Sequence, residues 1–350
     1  MRLRRFHIYR EFPLKRVAVY SWLAAFSLLA LFHCALPEDR IGYGPEYGKG
    51  MNIFFMPPRN AFNSGDFIES LDKLHSLGVN TLFLVPYYFS PDQASDRIYA
   101  TAKTIPDSQL VRAITLGREQ GFAVVLKPHI DLENGEPRFK IVPTDFAAWL
   151  ANYKTFILHY LEIARSEDLP DFVIGTELDG VSERDGFRRL CDSLRGTSPI
   201  RLTYAASFDH FIGTGIWEHV DRMGINAYFN LDNNRPPSRQ ALRETWNYWL
   251  NLVSTFASLK GMPVIFTEVG YFSRTTAAKN LGDWSGNKAP DPDLQGECYA
   301  ALLSQAWEFP AIKGIAWWQW ELGGIGGLEN NDATPRDKPA ENVIRSYWTK

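Results

Sequence analysis

Cysteine and histidine are scarce in this chain, and their scarcity limits the chemistry that it can carry. The 350 residues include three Cys and seven His. Cys191 and Cys298, the two that lie outside the N-terminal segment, show no metal-ligand spacing and predict either one disulfide or two buried thiols, the second being favoured. His129 and Asp131 are spaced as metal ligands can be, but no second pair of His residues supports them. We therefore expect no metal and no other cofactor.

The sequence also lacks the glycine-rich turn that a doubly wound, dinucleotide-binding sheet needs after a strand. It has no internal repeat and no low-complexity segment. The net charge is −3, and residues 1–36 contain six Arg and Lys against one Glu, so the rest of the chain is more acidic than the total suggests. An acidic body argues against nucleic acid as a partner.

The N-terminal segment is typical of an export signal. Basic residues up to Arg16 precede an uncharged, mostly apolar run over residues 17–32. This run is long for a cleaved signal and slightly short for a membrane span, so residues 1–36 predict either a signal peptide or a membrane anchor. Positive flanks stay in the cytoplasm, which places the body on the periplasmic or extracellular face, free or anchored to the inner membrane by residues 17–36. Cys34 leaves lipid attachment as an alternative, and we expect no other membrane contact.

Residues 37–50 are rich in Gly and Pro and predict a linker, followed by one catalytic domain over residues 51–350. In this domain short runs of β-branched, aromatic and other apolar residues alternate with longer amphipathic stretches. Runs that are apolar on both faces are typical of strands in a parallel sheet covered by helices. The eight predicted strands are residues 51–56, 81–87, 123–130, 172–177, 201–206, 222–228, 264–270 and 314–320.

The stretches between these strands predict helices, so the order of elements is that of a (β/α)₈ barrel, the TIM-barrel fold. In the first helix Phe67, Leu71 and Leu74 recur on one face. The interval between Arg201 and Arg222 is the shortest and leaves little room for a full helix. The predicted helices are residues 67–77, one that begins at Pro106, 146–164, 183–194, 239–259 and 294–308.

Two of the predicted strands end in glutamate, Glu177 on the fourth and Glu268 on the seventh. The carboxyl ends of barrel strands form the active-site face, and the ends of strands four and seven face each other across it. Glutamate at one strand end is common, but two at these positions match what retaining glycosidases need. There one carboxylate attacks the anomeric carbon while the other carboxyl group protonates the leaving oxygen.

The chain resembles glycoside hydrolase family 113 of the clan A retaining barrel glycosidases, whose described members are β-mannanases. The resemblance implies that Glu177 is the acid/base and that Glu268 is the nucleophile. It also implies that the substrate is 1,4-β-mannan, cleaved in the endo mode. Most of the clan has Asn directly before the acid/base, where it binds the sugar 2-hydroxyl, but this chain has Thr176. The resemblance is carried by LVPYY at 84–88, LKPHID at 126–131, IGTEL at 174–178, LTYAA at 202–206, GINAY at 224–228, FTEVGY at 266–271 and WWQW at 317–320.

Four polar residues near strand ends are candidate substrate-binding residues. Tyr228 ends the sixth strand, where it can donate a hydrogen bond to Glu268, and Asn226 alternates with it and points the same way. Lys127 and His129 alternate on the third strand. Because a buried lysine is costly, Lys127 is expected to point at the barrel mouth or at a partner charge.

Three tryptophans are candidate sugar-binding residues. On the last strand Trp318 and Trp320 share one parity, and we expect one of them to form the stacking platform under the sugar. Trp284, in the polar loop after strand seven, is expected to line the cleft.

Two other functions stay open beside mannan hydrolysis. An anchored enzyme suits a hydrolase or transglycosylase that trims a different bacterial exopolysaccharide, made by its own cell. A barrel that binds glycans without catalysis is the other, although the presence of both carboxylates argues against it. In each case the expected partner is a polysaccharide or an oligosaccharide.

Overall fold

The computed structural model describes residues 48–349, except 60, 232–236 and 280–287, and these belong to one compact unit. The expected signal or anchor over residues 1–36 and most of the linker over 37–50 lie outside the described residues. Within the described part, no helix has both the length and the apolar character to cross a membrane.

Eight parallel strands form a closed barrel, which confirms the expected (β/α)₈ fold. All eight predicted runs are barrel strands, and the first begins two residues before the expected start of the domain. The barrel closes between the first strand and the last, where Met51 pairs with Trp317. In the order of the chain the barrel strands are β1 (Lys49–Phe54), β2 (Thr81–Val85), β4 (Ala123–Leu126), β6 (Asp171–Thr176), β7 (Arg201–Ser207), β8 (Arg222–Asn226), β9 (Val264–Val269) and β10 (Ile312–Trp320).

The second and third predicted runs continue beyond the barrel as a separate two-stranded sheet. Strands β3 (Tyr87–Ser90) and β5 (His129–Leu132) pair in parallel, with Tyr87 opposite His129 and Phe89 opposite Asp131. Each follows its barrel strand after one or two residues. The mouth of the barrel is therefore extended on this side by strands rather than by loops.

Helices surround the barrel, and most begin or end where the sequence predicts. The interval between β7 and β8 holds only a 3₁₀ turn over Ile216–His219, as the short spacing indicated. The final helix, α8, follows β10 and was not among the predicted helices. The α-helices are α1 (Ser64–Ser76), α2 (Asp107–Glu119), α3 (Phe146–Ser166), α4 (Asp179–Ser182), α5 (Asp185–Thr197), α6 (Arg239–Lys260), α7 (Pro292–Leu303) and α8 (Pro339–Trp348).

The alternation of side chains along the strands divides the core into three parts. Side chains that point outward pack against the helices and form the largest apolar cluster. Inside the barrel a second cluster combines large and small residues, and this mixture fills the lumen. The cluster consists of Phe83, Val125, Val173, Ala205, Ile265 and Ala316. Above it lies a third group, called here the mouth cluster, which consists of Phe54, Val85, Tyr87, Phe89, Phe272, Trp318 and Ala333.

The two cysteines of the body are buried free thiols, in accordance with the favoured interpretation. Cys191 lies on α5 and Cys298 on α7. Burial raises the pKa of both thiols to well above the ordinary range. Buried, protonated thiols are unreactive, so these two residues pack as small apolar side chains.

Candidate active site

Glu177 follows β6, the fourth barrel strand, and its backbone turns there with a φ of 51°. Such left-handed backbone is costly for a residue other than glycine and persists only where the surroundings hold it. Here the N–H of Glu177 donates to the carbonyl of Ala205 at 2.8 Å. The next N–H, of Leu178, donates to the hydroxyl of Tyr204 at 3.0 Å. Both partners belong to β7, so the neighbouring strand fixes the direction in which the Glu177 side chain leaves the barrel wall.

Glu268 lies on β9, the seventh barrel strand, and is 3% exposed. Its two carboxyl oxygens have different partners. Oε1 forms an ion pair with Lys127 Nζ and lies 3.6 Å from His129 Nε2. Oε2 accepts a hydrogen bond of 2.7 Å from the hydroxyl of Tyr228. Each carboxyl oxygen of this buried residue is therefore held by its own side-chain partner.

Lys127 is fully buried, and so is Asn52, which contacts it. Nζ also donates to the Thr267 carbonyl at 3.2 Å and to Asn52 Oδ1 at 3.4 Å. The Asn52 amide nitrogen in turn donates to the carbonyls of Thr267 and Trp317, at 3.0 and 3.2 Å. Burial lowers the pKa of Lys127, while the adjacent Glu268 carboxylate opposes this shift. Lys127 Nζ is thus held by three groups, of which Glu268 alone among the described residues is acidic.

His129 contributes a neutral ring to the same side of the site. Burial, followed by the charges of Arg138 and Lys127, holds the pKa of His129 well below its usual value, so the imidazole is neutral at neutral pH. Its ring stacks on that of Trp318, with centroids 5.8 Å apart and planes 11° apart. Neither ring nitrogen forms a hydrogen bond within the described part of the chain. Both nitrogens are buried, and Nε2 lies on the Glu268 side of the ring.

Glu177 lies in surroundings that raise the pKa of its carboxyl group. Burial and the charge of Glu268 raise the pKa of Glu177 to about 7, against the opposing effect of Arg138. Arg138 Nη1 lies 3.4 Å from Glu177 Oε2. The two glutamates are close enough for their charges to interact, and their environments differ: Glu268 has an ion-pair partner in Lys127, whereas Glu177 has a raised pKa.

Asn226 and Thr176 place two further polar groups beside the carboxyl pair. Asn226 Oδ1 accepts a hydrogen bond of 2.9 Å from Thr267 Oγ1, which fixes the orientation of the amide. The amide lies close enough to Glu177 to lower the pKa of that carboxyl group. Its Nδ2 is buried, as is Thr176 Oγ1, and neither has a hydrogen-bond partner among the described residues. The Asn226 amide, held by Thr267, therefore lies beside the Glu177 carboxyl group.

Trp318 and Trp320, both on the last strand, lie in different parts of the core. Trp318 belongs to the mouth cluster, stacks near Phe54 and His129, and lies 5.5 Å below Lys127 Nζ. Trp320 does not join it, because the register of β10 against β1 shifts between Met51 and Ile53 and breaks the expected alternation. Trp320 is fully buried in the outer core, beneath the guanidinium of Arg336.

Backbone at this point of β10 packs closely against the end of β9. A Cβ on Gly270 would lie 2.2 Å from the Trp318 carbonyl oxygen, so only glycine permits this approach. The peptide bond between Trp318 and Gln319 is cis. Trp284, expected in the cleft, lies outside the described residues.

Five of the predicted site residues, Lys127, His129, Asn226, Tyr228 and Trp318, therefore surround Glu177 and Glu268, whereas Trp320 lies apart from them. Two further residues of this group were not predicted. Asn52 had a signal, a lone amide inside the apolar run 51–56. Arg138 had none, since it stands among charged residues of a loop. Over the described residues no cluster of three His, Cys, Asp or Glu side chains forms that could hold a metal ion.

A closed parallel barrel with a glutamate of raised pKa and an ion-paired glutamate at the ends of strands four and seven has the fold and the carboxyl pair of a barrel glycoside hydrolase. The sequence profile described as Glycoside Hydrolase Family 113 matches residues 51–336. The chain belongs to this family, as its resemblance indicated, and is an O-glycosyl hydrolase. No curated protein matches it in sequence.

Solved structures share the fold. A β-1,4-mannanase of family 113, solved as a complex, superposes with a TM-score of 0.78 at 20% identity, over 87% of this chain and 99% of that one. The β-mannanase AaManA of Alicyclobacillus acidocaldarius, in complex with ManMIm, gives the same TM-score and identity, over 88% and 98%. A β-glucuronidase of Ruminococcus gnavus is more distant, with a TM-score of 0.58 at 13% identity, over 86% of this chain and 50% of the other.

Proposed function

We propose that this protein is a retaining endo-1,4-β-mannanase that works by double displacement. The observation that carries the proposal is the unequal environment of the two glutamates. Glu268 is ion-paired with Lys127 and accepts a hydrogen bond from Tyr228, whereas Glu177 is raised to a pKa of about 7. Membership of family 113 and the likeness to two β-mannanases support mannan as the substrate.

In the first step a Glu268 oxygen attacks the anomeric carbon while Glu177 gives its proton to the glycosidic oxygen, so that the C1–O bond breaks and the aglycone leaves as an alcohol. In the second step the Glu177 carboxylate takes a proton from water. The resulting hydroxide attacks the anomeric carbon and releases Glu268. Both steps invert the anomeric carbon, so the product keeps the β configuration, and no cofactor takes part.

The remaining site residues bind the sugar in this scheme. Trp318 supplies a flat apolar face, as sugar-binding sites commonly do. Asn226 and His129 line the sugar site beside the two glutamates, with their side-chain nitrogens buried. Lys127 and Tyr228 act on the substrate indirectly, because each binds one oxygen of Glu268. Sugar binding by Trp320 stays a prediction. Trp320 is fully buried in the outer core, where it packs behind the strand that carries Trp318.

The test is product release from β-mannan and mannohexaose by the full chain in mild detergent, followed by mass spectrometry. We expect oligosaccharides from the wild type and none from Glu177→Gln, which removes the acid. Glu162→Gln, a matched change at an exposed position on α3, should leave the rate unaltered. Proton NMR of the early products should show the β-anomer first. An α-anomer as first product would contradict retention.

The other polysaccharide hypothesis is decided by the same experiment. An enzyme that trims an exopolysaccharide of its own cell would leave mannan intact and release fragments from polymer extracted from the producing strain. No release from either polymer by a folded wild type, with Glu177→Gln indistinguishable from it, would favour a barrel that binds glycans without catalysis.

We also propose that the enzyme works outside the cytoplasm, held to the inner membrane by residues 17–36 or released after cleavage. The basic segment before an uncharged apolar run supports this placement. Protease added to spheroplasts should digest the barrel while a cytoplasmic marker stays intact. The N-terminal sequence of the purified protein then separates anchor from cleaved signal, and protection from the protease would contradict the proposed side of the membrane.

A further inference from the structure

Arg138 is the one charged side chain that contacts Glu177 in the described structure, and a strand rather than a flexible loop holds it there. It begins the 3₁₀ turn Arg138–Lys140 and is 13% exposed. Its Nε donates to the Ile130 carbonyl at 3.1 Å, and its Nη2 forms an ion pair with Asp131. Both anchors lie on β5, which pairs with β3 above the barrel.

The third contact of the guanidinium is with the acid. Nη1 donates to Oε2 of Glu177 at 3.4 Å. Arginine keeps its proton in proteins and has no acceptor, so the oxygen that it faces must accept. A carbonyl oxygen is a stronger acceptor than a hydroxyl oxygen, so when Glu177 is protonated this hydrogen bond favours Oε2 as the carbonyl oxygen and Oε1 as the oxygen that carries the proton. One oxygen of the carboxyl group is thus bound to Arg138, and the other carries the proton that can be transferred.

We propose that Arg138, anchored by Asp131, is a positioning residue that turns the Glu177 carboxyl group so that its acidic proton lies on Oε1, on the side of the glycosidic bond. The inference rests on the proposed role of Glu177 as the acid. In the first step Oε1–H passes its proton to the leaving oxygen, and in the second Oε1 takes a proton from water. Oε2 stays with Arg138 throughout, so the carboxyl group need not reorient between the steps.

The charge of Arg138 also limits how weak an acid Glu177 becomes. Burial, Glu268 and Asp179 raise the pKa of Glu177, while Arg138 and the Asn226 amide lower it. Lys127, Tyr87 and Tyr228 are further titratable groups whose pKa values respond to the charge of Glu177. Loss of Arg138 therefore raises the pKa of Glu177 further and moves the loss of activity to higher pH.

The first test does not depend on the substrate. The Glu177 carboxyl carbon, labelled with ¹³C and assigned by its absence in Glu177→Gln, is titrated by NMR in the full chain. The pKa of Glu177 should be higher in Arg138→Met than in the wild type. Arg165→Met, which removes an arginine from an exposed ion pair on α3, is the matched control and should leave it unchanged. An unchanged titration in Arg138→Met, with the fold intact by circular dichroism, overturns the proposal.

The second test separates positioning from charge. Mannohexaose needs a proton on its leaving group, whereas 2,4-dinitrophenyl β-mannobioside does not. For Arg138→Met we expect kcat/KM to fall about 100-fold on mannohexaose and less than about 5-fold on the aryl glycoside, because only the first requires an aligned acid. The fall in kcat/KM of the wild type above about pH 7 should move to higher pH in this variant. Arg138→Lys should recover part of the rate.

Asp131→Asn keeps the arginine charge and removes its ionic anchor, so it should slow mannohexaose hydrolysis without raising that pH limit. Equal losses on both substrates in Arg138→Met, with the pH limit unmoved, would make Arg138 a structural residue only and overturn the proposal. If Glu177→Gln itself loses activity equally on both substrates, the assignment of Glu177 as the acid fails instead.

Discussion

Glu268→Gly lowers kcat on 2,4-dinitrophenyl β-mannobioside by about 10⁴-fold or more, and azide restores turnover. The loss is of the size seen when a covalent nucleophile is removed. The substitution empties the space between Lys127, Tyr228 and the anomeric carbon, which a small anion can enter. Azide then attacks from the side that Glu268 occupied, displaces the dinitrophenolate and leaves an α-linked glycosyl azide. Mass spectrometry detects this product, and NMR determines its anomeric configuration.

The configuration of the azide product distinguishes the two glutamates. Removal of an acid/base would let azide attack the glycosyl-enzyme from the opposite face and give a β-linked azide. An α-azide from Glu268→Gly together with a β-azide from Glu177→Gly supports the assigned roles. The reverse pattern would exchange them, and free mannobiose alone from both variants would contradict a covalent intermediate on either residue.

Lys127→Met abolishes most of the activity and destabilises the fold. The lysine is fully buried and Glu268 is 3% exposed, so the substitution leaves a carboxylate in the barrel mouth without its cation. Breaking a buried pair by removing one partner costs about 3–5 kcal/mol in the free energy of unfolding. We also expect kcat to fall by about 10³-fold, because Glu268 Oε1 then loses the cation that holds it in place.

Chemical denaturation measures the loss, and a double variant identifies its cause. Lys127→Met combined with Glu268→Gln removes both charges and should recover most of the stability lost by the first substitution alone. Lys140→Met, in the partly exposed pair with Glu136, is the matched control and should cost about 0.5 kcal/mol or less. A double variant no more stable than Lys127→Met would show that packing, rather than the unpaired charge, carries the loss.

The sequence predicts site residues correctly where the position of a residue along a strand determines the direction of its side chain. Parallel strands bring the ends of their apolar runs together, and at or near such ends stand Glu177, Glu268, Lys127 and His129. Trp320 shows the limit of that argument, since one shift of register against β1 turned it into the outer core. A shift of this kind depends on the paired strand, which periodicity along a single segment does not report.

Arg138 shows a second limit. Its position in the site depends on two anchors on β5 and on the turn after it, and that turn has no hydrophobic pattern. Asn52 is an intermediate case. An amide within an apolar strand indicates a buried polar role, but its partners, the carbonyls of β9 and β10, follow only from the closure of the barrel.

That closure also sets an order of assembly. The bond from Asn52 to the Trp317 carbonyl joins positions 265 residues apart, and it links the first barrel strand to the last. Contacts of such separation form late, because the ordering of a long chain must come first. During synthesis the N-terminal strands emerge long before β10, so the edge of β1 that pairs with β10 stays unpaired until then. Asn52 holds Lys127 beside Glu268, and its own hydrogen bonds are complete only when β10 is in place. A nascent chain that lacks this strand therefore has both charged side chains without their full support.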